Sequence, residues 1–199
     1  MSEAEDQSAT PGLARLRAEA RSLPAGLRAH TGRVVTEARR LAQHYELEAD
    51  RVEAAAWGHD LFRGHDDQAL LKAAAELGLE ADPVARSLPV LLHGPVAAAT
   101  AERAWGVEDR EVLEAIRWHT TAQPRMSLLA RAVFLADKIE PEKVGSDPEL
   151  VVIRELAPRD PEAAVLAYLK RQLSRHLSQG GVIHPSSVEA WNALLLSKS

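Results

Sequence analysis

Cysteine is absent from all 199 residues, which excludes disulfides, thiolate metal sites and a cysteine nucleophile. A basic excess is absent too: 24 Lys and Arg stand against 29 Asp and Glu, for a formal net charge of −5. Such a chain has no electrostatic footprint for nucleic acid and no polybasic membrane anchor. Any phosphate it handles must be met by a local site. No apolar run approaches the ~20 residues of a membrane span. The opening MSEAEDQSATPG lacks the basic and apolar regions of a signal peptide. The expectation is a soluble cytoplasmic protein that partners neither nucleic acid nor membrane. Alternating strand patterns are also missing, and the brief ELVVI can be absorbed by a helix.

What remains is helix. GLARLRAEARSL and LRAHTGRVVTEARRLAQHYEL carry apolar residues at helical spacing among Ala, Leu, Arg and Glu. Asp50 with Glu53 reads as a capping box for the next helix, and Gly78 as the residue just past the end of DQALLKAAAELG. Pro95 suits a first helical turn, Asp109 and Ser127 suit N-caps, and Pro141 stops the helix LLARAVFLADKI. DPEAAVLAYLKRQLSRHLSQ and SSVEAWNALLL complete the series. The expectation is an all-α helical bundle forming a single domain over residues 12–199, after a flexible stretch at 1–11. The long C-terminal helices offer a homodimer interface.

Several helices put a metal-capable side chain on their own apolar face. His30 shares a stripe with Leu27 and Val34; His59 follows Val52, Ala55 and Ala56; His119 follows Val112, Ala115 and Ile116 in the same way. Asp137 lies inside AVFLAD, and His93 closes the apolar run LPVLLH. Singly, each has an ordinary structural reading as a satisfied core residue. Together they say more, because helices converging on one core bring such side chains together, and a buried carboxylate must be paired or metal-bound. Imidazole and carboxylate without sulfur suit iron, manganese, cobalt or zinc rather than calcium. The dipeptide His-Asp occurs twice. His59-Asp60 ends an apolar helical face and is aimed inward, whereas His65-Asp66 follows Gly64 in a polar stretch and reads as a solvated turn with an N-cap. His44 stands almost four turns from His30, about 21 Å along the axis, and cannot share its metal. His184, before Pro185, reads as a structural cap.

The stretches RAHTGRVVTEARRLA, AAAWGHD, LLHGPVAA, IRWHTTAQPRMSLLARAVFLADKIEP and GGVIHPSSVEAWNALL occur in an order that resembles the HD-domain metal-dependent phosphohydrolase superfamily, in its YqeK-like branch. The resemblance implies a helical HD-domain bundle with two divalent metal ions, commonly iron. By position, His30, His59, Asp60 and Asp137 would hold one ion and His93 and His119 the second, with Asp60 bridging. The implied reaction is symmetrical hydrolysis of diadenosine tetraphosphate, a small-molecule nucleotide, to two ADP. The family pattern has Gly-Arg after HTT, where this chain has Ala122-Gln123. Arg63 replaces a Lys, Lys138 an aromatic residue, and Lys143 an Arg.

Two close divalent ions supply an activated water and neutralise charge on phosphoryl oxygens. Asp60 suits bridging because a carboxylate offers two oxygens. Arg63, Arg125, Lys138 and Lys143 lie near ligands in sequence and are candidates for substrate phosphates, with Arg63 also grouped with Asp60 as catalytic. For Lys138 and Lys143 the competing expectation is a solvated surface charge. Thr120 and Thr121 would hydrogen-bond phosphate or cap the helix end. Other readings stay open: hydrolysis of another nucleotide, a catalytically silent metal- and nucleotide-binding module, or di-iron oxygenase chemistry.

Overall fold

The computed structural model describes residues 11–197, and every regular element among them is helical. Of the stretch expected to be flexible, residues 1–10 lie outside the described residues; Pro11 already opens α1 (Pro11–Ala20). The order continues with α2 (Ala25–His44), α3 (Ala49–Gly58), α4 (Asp67–Glu76) and the short α5 (Pro83–Ser87). A 3-10 turn at Pro89–Leu92 then leads into α6 (His93–Trp105). Next come α7 (Arg110–Trp118), α8 (Leu128–Ile139), α9 (Pro141–Ser146) and α10 (Leu150–Leu156), the last taking up the ELVVI run as helix. The long α11 (Pro161–Ser178) and α12 (Pro185–Leu196) finish the bundle. No helix of the described residues is long and apolar enough to cross a membrane.

The centre of the bundle is α8. Ten of its twelve residues are buried, Phe134 completely, as expected of a helix apolar on nearly every face. Helices α2, α7 and α11 pack around it, and α3 lies against α2, α7 and α1. A smaller apolar cluster of Leu70, Ala74, Ala85, Leu92 and Val96 seats α4 and α5 against the start of α6.

Most helix ends follow their side-chain signals. Asp109 accepts from the amides of Glu111 and Val112, and Ser127 from Ala130. Gly78 takes φ 60° just past α4, where a side chain would be strained. The capping box is a correction. Helix α3 starts earlier, with Glu48 at its N-cap and no side-chain cap bond, while Glu53 is drawn into an ion pair with Arg39 of α2. An opposite charge on the packed neighbour outcompetes the local backbone amide.

Two glycines set how closely the helices approach. A Cβ on Gly58 would stand 2.7 Å from Ile116 Cδ1, and one on Gly94 would stand 2.9 Å from the backbone oxygens of Ile116 and Arg117. Each glycine adjoins a histidine, His59 or His93. The missing side chains let α3 and α6 close on α7 and carry those imidazoles towards His119.

Candidate metal centre

Five helices or helix ends deliver the expected side chains to one place. His30 comes from the second turn of α2, His59 and Asp60 from the end of α3, and His93 from the start of α6. His119 follows α7, and Asp137 sits in the last turn of α8. His59 is 0% exposed, and Asp60, His93, His119 and Asp137 are all buried. His30 alone keeps a partly open edge.

Asp60 lies between two groups of imidazoles. Its Oδ2 is 3.4 Å from His59 Nε2 and 3.7 Å from His30 Nε2. Its Oδ1 is 3.1 Å from His93 Nε2 and 3.4 Å from His119 Nε2. Asp137 Oδ1 stands 3.1 Å from His30 Nε2. Two compact donor sets arise within this cluster: His30, His59 and Asp137, and His59, Asp60 and His119. His59 belongs to both, because its ring meets that of His119 edge-on at 4.9 Å.

Hydrogen bonds fix the tautomers. His59 Nδ1 lies 2.7 Å from the Ala56 carbonyl and His119 Nδ1 lies 2.8 Å from the Ile116 carbonyl; His93 Nδ1 bonds Val90 in the same way. A carbonyl only accepts, so each Nδ1 carries the proton and each ring in its neutral form turns a bare Nε2 inward. His93 Nε2 and His119 Nε2 then face each other at 2.9 Å as two acceptors. The His59 Nε2 is buried with no hydrogen-bond partner among the described residues, although Asp60 lies nearby. Inward lone pairs and two carboxylates outnumber the donors beside them, Thr120 at the imidazoles and Lys138 and Lys143 at Asp137, and form a cradle for cations.

The spacing agrees with that chemistry. Two donors about 2.1 Å from one ion stand about 3.0 Å apart at a right angle and about 3.4 Å apart at the tetrahedral angle. His93, His119 and Asp60 Oδ1 are separated by 2.9, 3.1 and 3.4 Å. The residues fit the group that the resemblance implies.

Electrostatics favours positive charge here. Burial works against the ionised form of Asp60, but the imidazoles of His59, His119 and His93, when protonated, outweigh it and hold the carboxyl well below the usual range. Asp137 is likewise held down despite burial, chiefly by Lys138, then by His30 and Lys143. Burial lowers His119 to about 4, keeping that ring neutral and able to coordinate. For His59 burial is opposed more strongly by Asp60 and Asp137, and its pKa rises: the carboxylates attract a cation to this nitrogen.

The expected substrate contacts divide. Arg63 and Arg125 are exposed. Arg63 follows Asp60 by less than a turn, its amide 3.0 Å from the Asp60 carbonyl. Arg125 ends a loop in which Ala122 and Arg125 both take positive φ, 61° and 60°. Thr120 Oγ1 is 3.0 Å from His119 Nε2 and 3.4 Å from His93 Nε2, close beside the inward nitrogens. Thr121 is buried, with its hydroxyl donating to the Ala122 carbonyl. The expectation of a solvated Lys138 is overturned: it is 8% exposed, lies over the Phe134 and Tyr168 rings, and donates to Asp137 Oδ2 at 2.6 Å. A buried ammonium needs an anion, and Asp137 supplies it. Lys143 donates to Asp137 Oδ1 at 2.7 Å and to its backbone oxygen. Both lysines therefore brace Asp137.

The altered pair after HTT also has a local role. Gln123 donates to Glu114 at 2.6 Å, and Glu114 accepts from the Ser127 amide, which ties this loop to α7 and to the N-cap of α8. His184 caps α12 as expected, accepting from the Ser186 amide, and its other nitrogen lies 3.0 Å from Asp82. Helical spacing does not mark one polar residue at the centre: Glu140, 1% exposed, 3.4 Å from His30 Nδ1. Its signal is a carboxylate in the run FLADKIEP, one turn beyond Asp137.

The HD domain family model matches residues 27–142. A symmetrical bis(5'-nucleosyl)-tetraphosphatase from Halalkalibacterium halodurans is 33% identical over 85% of this chain and 89% of its own. One of the same name from Bacillus subtilis is 29% identical over 83% and 88%. Among solved structures, a predicted HD superfamily hydrolase from Clostridium acetobutylicum, described as involved in NAD metabolism, superposes with a TM-score of 0.86 at 27% identity, covering 94% of this chain and 97% of its own. The all-helical fold and the ordered motifs thus have one common source, and the chain belongs to the HD domain family.

Proposed function

We propose that this protein is a metal-dependent nucleotide phosphohydrolase that cleaves diadenosine tetraphosphate symmetrically into two ADP. One water is consumed and one central P–O bond is broken, with each half leaving as a nucleoside diphosphate. The observation that carries the metal-dependent chemistry is the ring of inward acceptors, with Asp60 offering one oxygen to His30 and His59 and the other to His93 and His119. The choice of substrate rests on the relatives that bear that name.

His30, His59, Asp60 and Asp137 would hold one divalent ion, and His93 and His119 the second, with Asp60 shared. Iron is the first choice, and manganese, cobalt and zinc suit the same donors. Such ions supply an activated water and neutralise phosphoryl charge. The chain does the positioning. Asp60 fixes the spacing of the two halves, and Thr120 presents a hydroxyl beside His119 for a phosphoryl oxygen. Arg63 and Arg125 grip the outer phosphates from the exposed rim. Lys138 and Lys143 act one step back, holding Asp137 in its ligating pose and offsetting its charge.

The test is product analysis. Diadenosine tetraphosphate is incubated with protein loaded with ferrous iron or manganese, beside an Asp60→Ala control. ADP as the sole product, lost in the control, supports the proposal. AMP with ATP overturns the symmetrical cleavage; no turnover with metal bound overturns the substrate.

A further inference from the structure

We infer that Glu140 is a positioning residue of the metal centre, acting through His30 to fix that ligand's tautomer and strengthen its hold on the ion shared with Asp137. The inference rests on the metal-centred reading above.

The four histidines are not oriented alike. His59, His93 and His119 each sit at a helix terminus, where Nδ1 reaches a backbone carbonyl three residues back: Ala56, Val90 and Ile116. His30 lies in the second turn of α2, inside the helix, where carbonyls are engaged by the helix ladder. The equivalent oxygen, Leu27 O, also accepts the Thr31 hydroxyl at 2.9 Å. The backbone therefore offers His30 no comparable orienter. Glu140, 110 residues away in sequence, takes that place, with Oε1 3.4 Å from His30 Nδ1.

Glu140 is itself held independently of His30. Arg33 Nε donates to its Oε2 at 2.8 Å, a second Arg33 nitrogen lies 3.5 Å from Oε1, and the Glu142 amide donates to Oε2 at 2.9 Å. A carboxylate anchored on one oxygen presents the other in a fixed direction. A carboxylate partner also makes an imidazole a stronger donor to metal than a carbonyl partner does, and holds the ring against rotation. The two halves of the centre thus differ: one includes a histidine backed by carboxylate, whereas in the other both histidines are backed by backbone alone.

The whole chain is stripped with a chelator and titrated with Mn²⁺ by calorimetry, wild type beside Glu140→Gln. The expected result is a Kd raised roughly 10- to 100-fold in one binding step, with the other unchanged. Nitrogen-15 histidine spectra of the zinc-loaded variant should move only the His30 resonances. Unchanged Mn²⁺ affinity overturns the inference, as does a shift of all the histidine resonances together. If Glu140→Gln does not fold, Arg33→Gln, at a partly exposed position, carries the test. It should weaken the same step to a smaller degree, and wild-type affinity there overturns the inference. A wild-type chain that takes up no metal overturns the metal-centred reading with it. A wild type that binds beside a variant that binds equally well overturns only the role of Glu140.

Discussion

The same dipeptide, His-Asp, stands at the end of α3 and again just before α4, and the two copies share almost nothing else. His59 and Asp60 are buried among three other histidines and a second carboxylate. His65 and Asp66 are exposed: the His65 ring lies 4.9 Å from Phe62, and Asp66 Oδ1 caps α4 by accepting from the Ala69 amide at 2.8 Å. The difference lies in what precedes each pair. VEAAAWG gives a helix with small residues on the packed face, and Gly58 lets it close on α7. In contrast RG gives a polar turn. A two-residue motif joins a shared polar centre only where the helix beneath it is pressed into the core.

The largest expected effect separates the copies by metal binding. At about 100 times its Kd, one ion stabilises the fold by about 2.7 kcal/mol, which is roughly 5–10 °C in Tm for a chain of this length. Asp66→Asn should keep that metal-induced rise in full. Asp60→Asn should lose it, together with more than about 100-fold in Kd, because a shared ligand outweighs an outer partner. Thermal scans with and without Mn²⁺ measure both. Equal shifts in the two variants would erase the distinction.

An intermediate effect belongs to the surface copy. Asp66→Ala removes an N-cap and should cost about 1 kcal/mol of stability in urea denaturation. Hydrolysis and Mn²⁺ affinity should stay at wild-type values. A drop in affinity would mean that the turn reaches the centre.

Much of this was legible in the sequence. Helical spacing set His30, His59, His119 and Asp137 on apolar faces, and folding converts that shared polarity into a shared location. What escaped were contacts between residues distant in the chain. Glu53 matched a local capping pattern, but Arg39 on the packed neighbour claims it. Lys138 reads as a surface charge because lysine usually is one; its burial depends on Asp137 supplying an anion and Phe134 and Tyr168 supplying ring faces for its ammonium. Glu140 needs Arg33 and His30 from α2 before its role is visible. Spacing within one helix reports a face, whereas pairing between helices has no period to read.

The smallest expected effect carries the same lesson to a single residue in two settings. Ala122 is buried in the loop after His119 with φ 61°, whereas Ala132 is buried in the middle of α8. At Ala132, replacement by Gly forfeits a buried methyl, about 0.8 kcal/mol, and loosens a helix by about 1 kcal/mol. Ala132→Gly should therefore destabilise by about 2 kcal/mol. Ala122→Gly loses a similar methyl and adds about 0.7 kcal/mol of unfolded-chain freedom, but it relieves about 1.5 kcal/mol of left-handed strain. The terms nearly cancel, so that variant should lie within about 0.5 kcal/mol of wild type in urea denaturation. A loss at Ala122 as large as that at Ala132 would show that the loop bears no backbone strain. Near-neutrality would explain how this chain tolerates alanine where the family pattern has glycine: the methyl's packing offsets the cost of the turn.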